Sequence, residues 1–147
     1  MERMGVINTY FSAPDDAAAA DVVDDGPAAT RSPAVDAVDA SVQAATLLAL
    51  LTGDPVERIT SDSSWARLVS APDHEAAWVV SMPQAFADTL AKSSDERLQV
   101  VVGPWSQTEE FWGAGDPEQL LTVLHALRDL ARTARERGEQ LYCWMAL

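Results

Sequence analysis

The polar residues best suited to chemistry are Asp73, His74 and Glu75, which follow the turn-forming pair Ala71-Pro72 and precede an apolar segment. A histidine flanked by carboxylates at the edge of a strand can titrate near neutral pH and act as a general base. Exposed loops collect the same residue types, and a solvated loop is the interpretation that we favour. The three residues are nevertheless the catalytic candidates if the protein is a small hydrolase.

A second candidate site is the aromatic connector "PWSQTEEFWG", residues 104–113, which lies between a glycine-proline break and a capped helix. It combines three large aromatic residues with two carboxylates: Trp105, Phe111, Trp112, Glu109 and Glu110. Large aromatic side chains usually pack, so the favoured interpretation is that they plug the gap between a helix and a sheet. Loops on rigid scaffolds also carry function, so a groove with glutamates at its rim is our first choice of binding site.

Other familiar chemistries lack their residues. His74 and His125 are 51 positions apart, with no second His or Cys within a helical turn of either, so we predict no metal and no cofactor. There is no Gly-x-Ser-x-Gly motif and no phosphate-binding loop. Cys143 lies among apolar neighbours that raise the pKa of a thiol, which favours a buried structural cysteine over a nucleophile.

The charge of the chain restricts its partners. The 147 residues include 23 acidic and 10 basic side chains, a formal charge of -13. Nucleic acids and anionic membranes reward clustered Lys and Arg, so neither is expected as a partner, whereas a basic protein is. The longest apolar run, 44–51, is far shorter than the roughly 20 residues that span a bilayer. One cysteine and no signal-peptide pattern favour the cytoplasm.

The first part of the chain predicts a strand, two helices and a loop. Residues 5–11 are rich in β-branched and aromatic side chains and predict an opening strand. The alanine run within 15–24 predicts a short helix, and 25–36 predicts a mobile loop. Residues 40–51 are apolar around most of a helix surface, as expected of a core helix.

The middle of the chain is less regular. Residues 56–75 stay open between a short helix and a loop, with Trp65 and Leu68 as the residues that look buried. Residues 76–82 predict a buried strand, followed by a helix from Pro83 to Lys92 with proline in its first turn.

Two capped helices follow. Ser93 to Glu96 has the spacing of a capping box, which predicts a helix from Ser93 to Gly103-Pro104, with a strand over 100–102 as the alternative. Asp116-Pro117 begins the clearest helix, 117–137, with an apolar stripe at spacings of three and four. We expect the arginines in its second half to complement its own dipole: Arg128, Arg132, Arg135 and Arg137.

Residues 141–145 predict a closing strand that is apolar on both faces and hence central in its sheet. Residues 1–147 therefore form a single α+β domain. We expect a small sheet containing the first and last strands, with the 117–137 helix packed across one face.

Four segments resemble known sequences: "MGVINTYFSAPDD", "LLALLTGDP", "PWSQTEEFWG" and "RGEQLYCWMAL". They resemble small uncharacterised actinobacterial proteins and, more distantly, the YfbM-like family of unknown function. The resemblance implies a compact α+β domain and supplies no catalytic residues. Our leading functional hypothesis is a non-catalytic binding protein of the immunity or inhibitor type, and a small hydrolase is the alternative. The oligomeric state cannot be read from the sequence.

Overall fold

The centre of the molecule, in a computed structural model, is a sheet of five antiparallel strands. The structure describes residues 7–27, 34–108, 113 and 115–147. The strands are β1 (Ile7–Ala13), β2 (Ala34–Asp36), β3 (Arg67–Leu68), β4 (Ala77–Ser81) and β5 (Gln140–Ala146). Their order is β2-β1-β5-β4-β3, so the first and last strands pair and β5 is central, as its apolar faces predict.

The described residues contain six helices. They are α1 (Asp16–Ala20), α2 (Gln43–Thr52), α3 (Val56–Thr60), α4 (Gln84–Lys92), α5 (Asp95–Ser106) and α6 (Pro117–Glu136). The separate placement of helices and an antiparallel sheet confirms the predicted α+β class.

Alternation along the strands divides the interior into two cores. On one face of the sheet, Tyr10, Val80 and Cys143 pack against α2, α4, α5 and α6. We call these four helices and α3 the helical layer. On the opposite face, Phe11 and Tyr142 pack against residues from the segment 15–27. We call this segment, which consists of α1 and the turns that follow it, the thin layer.

Helix α6 spans the helical layer as predicted. Its apolar stripe is buried throughout: Leu120, Leu124, Leu127, Ala131 and Ala134. Asp116 caps the helix by accepting a hydrogen bond from the backbone N–H of Glu118 at 3.0 Å. Two of the four arginines have contacts that the prediction did not include, whereas Arg135 lies in the last turn of α6 as predicted. Arg132 donates to the carbonyls of Ala91 and Ser93 at the end of α4. Arg128 donates to Ser93 and Asp95, so these two side chains satisfy carbonyls of a neighbouring helix end.

Helix α5 corrects two predictions. It continues through Gly103-Pro104 to Ser106, because Pro104 lies in the last turn, where the N–H that proline lacks would have bonded only to the carbonyl of Val100, an exposed residue. The cap is Ser94, whose hydroxyl accepts from the Arg97 N–H, whereas the Ser93 hydroxyl donates to a carbonyl of α4. The strand alternative for 100–102 is wrong.

Two short edge strands also differ from expectation. The loop predicted over 25–36 ends in β2, which pairs with β1, while residues 28–33 lie outside the described part of the chain. The open region 56–75 contains α3 and the two-residue β3. Trp65 is buried as predicted, but Leu68 on the edge strand is 41% exposed. Within the described residues, no helix has the length and apolarity needed to cross a membrane.

Candidate functional site

His74 lies in the loop before β4, where its ring holds two parts of the chain together. Nδ1 accepts hydrogen bonds from the backbone N–H groups of Ala76 and Ala77, both at 3.1 Å. Nε2 lies 2.9 Å from Oδ1 of Asp24 in the thin layer. Since Nδ1 is the acceptor, Nε2 carries the proton and donates a hydrogen bond to the Asp24 carboxylate.

This arrangement occupies both nitrogens of the ring. A general base needs an available lone pair, and the lone pair of Nδ1 is directed at two backbone donors. Asp73 and Glu75 are exposed, and neither has a hydrogen bond or ion pair to His74 among the described contacts. The carboxylate on the ring is instead that of Asp24, 50 residues away, and no local pattern in the sequence points to it.

Trp105 belongs to the core of the helical layer. Its side chain is fully buried in α5, and its indole N–H donates to the carbonyl of Gln43 at 3.0 Å, which ties α5 to the start of α2. The packing interpretation therefore holds for Trp105. The other four residues of the predicted groove lie outside the described part of the chain: Glu109, Glu110, Phe111 and Trp112.

The two ends of the aromatic connector are held close together. The N–H of Gly113 donates to the carbonyl of Thr108 at 3.1 Å, and the N–H of Gly115 donates to Ser106 at 2.9 Å. Ser106 is itself fully buried at the end of α5. Gly113 and Gly115 are thus hydrogen-bonded to the backbone at and just beyond the end of α5.

Carboxylates collect on the thin layer and the loop beside it. We call this surface the acidic face, and it comprises Asp15, Asp16, Asp21, Asp24, Asp25, Asp73 and Glu75. All are exposed except Asp16, which is half-buried. The bond between Asp24 and His74 joins the two chain segments into one surface. With Arg67, which pairs with Asp16, the seven carboxylates leave a formal charge of -6.

Asp16 is the best-held carboxylate of the acidic face. It accepts from the Arg67 guanidinium at 2.9 Å and from the Tyr142 hydroxyl at 2.8 Å. The Arg67 hydrogen bond, followed by that of Tyr142, holds the pKa of Asp16 below its ordinary value. Burial, and then the Asp16 carboxylate, raises the pKa of Tyr142, so its hydroxyl remains a donor.

The underside of the thin layer is anchored by Trp144 of β5. Its indole N–H donates to the carbonyl of Val23 at 2.9 Å. Gly26 lies directly against the ring, so a Cβ there would be 3.1 Å from the nearest ring carbon. Gly26 also has φ 83°, a conformation that favours glycine. The thin layer therefore approaches the sheet so closely that a side chain at this position would require the Trp144 ring to shift by a few tenths of an ångström.

The described residues do not assemble a nucleophile or metal centre. Burial raises the pKa of the Cys143 thiol, which keeps it protonated and unreactive. No group of three or more His, Cys, Asp or Glu side chains in the described ranges is arranged to hold a metal ion. What the acidic face can do is attract and hold cationic groups.

A search of protein-family models found no match to this chain, and searches of curated proteins and of solved structures found none. The resemblance to the YfbM-like family remains a prediction.

Proposed function

We propose that the protein is a non-catalytic binding protein that captures a basic protein partner in the cytoplasm, in the manner of an immunity protein or inhibitor. The observation that carries the proposal is the acidic face, where the one guanidinium that pairs with any of the seven carboxylates among the described contacts is that of Arg67, on Asp16. The hydrolase alternative requires His74 as a base, and its ring nitrogens are engaged in structural bonds. The geometry therefore favours binding.

Charge and aromatic contacts have separate roles in this proposal. Exposed carboxylates raise the association rate of a basic partner by electrostatic steering, an effect that salt screens. The aromatic connector supplies anchors that slow dissociation. Loss of an anchor such as Trp112 should cost about 2 kcal/mol or more of affinity, chiefly through faster dissociation.

The test compares two triple variants in a pull-down from native lysate at low and high salt. Asp21→Asn, Asp25→Asn and Asp73→Asn together neutralise three exposed carboxylates that have no described hydrogen bond from another side chain. The control triple, Glu96→Gln, Glu118→Gln and Glu136→Gln, changes the net charge by the same amount but lies on α5 and α6. A basic protein should be captured by the wild type and the helix triple, and lost with the acidic-face triple.

Two results would contradict the proposal. Equal loss of capture by both triples would mean that capture depends on the net charge of the protein and not on the acidic face. Capture that survives the acidic-face triple and high salt would place the interface elsewhere. Circular dichroism melts of both triples provide the stability control.

A further inference from the structure

A cavity of about 190 Å³ opens in the helical layer between the end of α2, α3 and the start of α4. Its apolar lining includes Leu48, Ile59 and Trp65, all buried. Charged side chains of Asp54, Arg58 and Asp62 also line it, and all three are exposed. It lies outside the acidic face, so the inference below is independent of the proposed function.

The charges at this cavity leave one carboxylate for a ligand. Arg58 lies 3.8 Å from Asp54, and these opposite charges offset each other. Asp62 is held by Ser64, whose backbone N–H and hydroxyl both donate to Oδ1, at 2.9 and 2.8 Å. These hydrogen bonds lower the pKa of Asp62 and keep it ionised. Among the described contacts, its second oxygen, Oδ2, has no partner.

The aromatic wall of the cavity is fixed before any ligand arrives. The Trp65 indole N–H donates to the carbonyl of Ser41 at 3.1 Å, and its ring packs edge-on against Phe86 at 5.5 Å. Ala66, the next residue, has φ 49°, in the left-handed region that an alanine rarely adopts. Such strain persists where surrounding packing imposes it, and it often accompanies binding sites.

We propose that this cavity binds a small primary ammonium compound with a compact apolar body. The ammonium group donates to Oδ2 of Asp62, and the apolar body packs on Leu48, Ile59 and Trp65. The cavity is smaller than the roughly 300–1,000 Å³ of pockets that hold drug-sized ligands, so the body is about one ring in size. The overall charge of -13 also favours a cation over an anion.

Three probes of the same shape test the charge requirement. Benzylammonium, benzyl alcohol and benzoate are titrated into the full-length, isotope-labelled protein and followed by two-dimensional NMR. We expect benzylammonium to bind about tenfold more tightly than benzyl alcohol, because its hydrogen bond to Asp62 is charge-assisted. Benzoate should bind most weakly, and the shifted signals should include the indole N–H of Trp65.

Three variants locate the site. Asp62→Asn keeps an acceptor for Ser64 but removes the charge, so it should weaken benzylammonium about tenfold and leave benzyl alcohol unchanged. Ala85→Phe adds a ring at an exposed position that lines the cavity and should block both probes. Asp21→Asn makes the same charge change on the acidic face and should alter neither affinity.

The inference is overturned if benzylammonium does not bind, if the three probes bind equally, or if Asp62→Asn leaves benzylammonium unchanged. The spectrum of each variant reports whether it is folded. If Ala85→Phe does not fold, Asp62→Asn alone decides. None of these outcomes bears on the capture of a basic partner by the acidic face.

Discussion

The two faces of the sheet are covered in different ways. On the helical side, 28 of the described residues form one continuous buried core, and Arg128 and Arg132 of α6 bond to the end of α4. On the thin side, six of the described residues form the core, and polar contacts attach the layer at its margins. Apolar burial, which dominates folding free energy, is therefore concentrated in the helical layer.

The difference separates stability from exposure to partners. Segments with few buried apolar contacts open at lower free energy than the core, so the thin layer should open locally before the molecule unfolds. Five of the seven carboxylates of the acidic face lie on this weaker layer. Substitutions in the helical layer should lower global stability, whereas substitutions in the thin layer should act mainly on local opening.

The largest effect is expected from Leu127→Ala in α6. Leu127 is fully buried beneath the sheet, and truncating a buried leucine costs about 2–5 kcal/mol. The free energy of unfolding, measured in a denaturant melt, should fall by that amount without a change in the slope. Val100→Ala on the exposed side of α5 is the matched truncation and should stay within about 0.5 kcal/mol of wild type. A loss at Leu127 as small as that at Val100 would contradict the assignment of the core.

Gly26→Ala should have the next largest effect. Both Gly26 and Gly53 have positive φ, 83° and 82°, so an alanine at either site costs about 1–2 kcal/mol of backbone strain. A Cβ at Gly26 also meets the Trp144 ring at 3.1 Å, whereas nothing lies within 4 Å at Gly53. Gly26→Ala should therefore be the more destabilising, and the excess measures the contact with Trp144.

Hydrogen exchange shows where that excess acts. The Gly26 amide donates to Val22 within the thin layer, so its exchange should accelerate more than that of core amides in α6. Equal losses in the two glycine variants would show that the Trp144 ring moves aside freely, and the close approach would then have no energetic role.

The contrast between the layers also explains what the sequence could predict. Helix α6 and strand β5 could be predicted from the sequence. A helix buried on one side carries an apolar stripe, and a strand buried on both faces is apolar along its length. The short edge strands have no pattern of their own, since β2 and β3 exist only as partners of β1 and β4. Pro104 predicted a helix end that the buried Trp105 beside it overrides.

The candidate site was less predictable than the fold, because its contacts are between distant residues. The sequence identified His74 as unusual, but its partner Asp24 lies in a segment with no signal beyond alanine and acidic content. Arg67 and Tyr142 likewise meet at Asp16 across 51 and 126 residues. The antiparallel pairing of β1, β5, β4 and β3 in one sheet brings these positions together.

His74→Ala tests whether this histidine is a tether. The variant loses the bond to Asp24 and leaves the N–H of Ala77, a buried residue, without its acceptor, which should cost about 1–3 kcal/mol. The loss should be larger in local opening of the thin layer than in global unfolding. His74→Asn offers an acceptor near the Nδ1 position and should recover the part due to the backbone bonds.

The half-buried His125 on α6 provides the control, and His125→Ala should leave exchange in the thin layer unchanged. A His74→Ala variant with unaltered stability that abolishes a hydrolytic turnover would instead favour the enzyme alternative.

The smallest effect is expected from Asp16→Asn, read as a function of pH. The folded pKa of Asp16 lies below its unfolded value, so the carboxylate contributes stability above an unfolded pKa of about 3.9 and loses it as pH falls through the folded value. The stability difference between wild type and Asp16→Asn should therefore be present at pH 6–7 and shrink below about pH 4. It should also weaken with salt, because Asp16 and Arg67 are both about half exposed.

Asp25→Asn provides the contrast, since it relieves repulsion in an acidic protein without breaking a described ion pair and should not destabilise at neutral pH. If the two variants have the same stability profile between pH 3 and 7, the contact of Asp16 with Arg67 and Tyr142 does not stabilise the thin layer. This polar contact would then not explain how the thin layer is attached to the sheet.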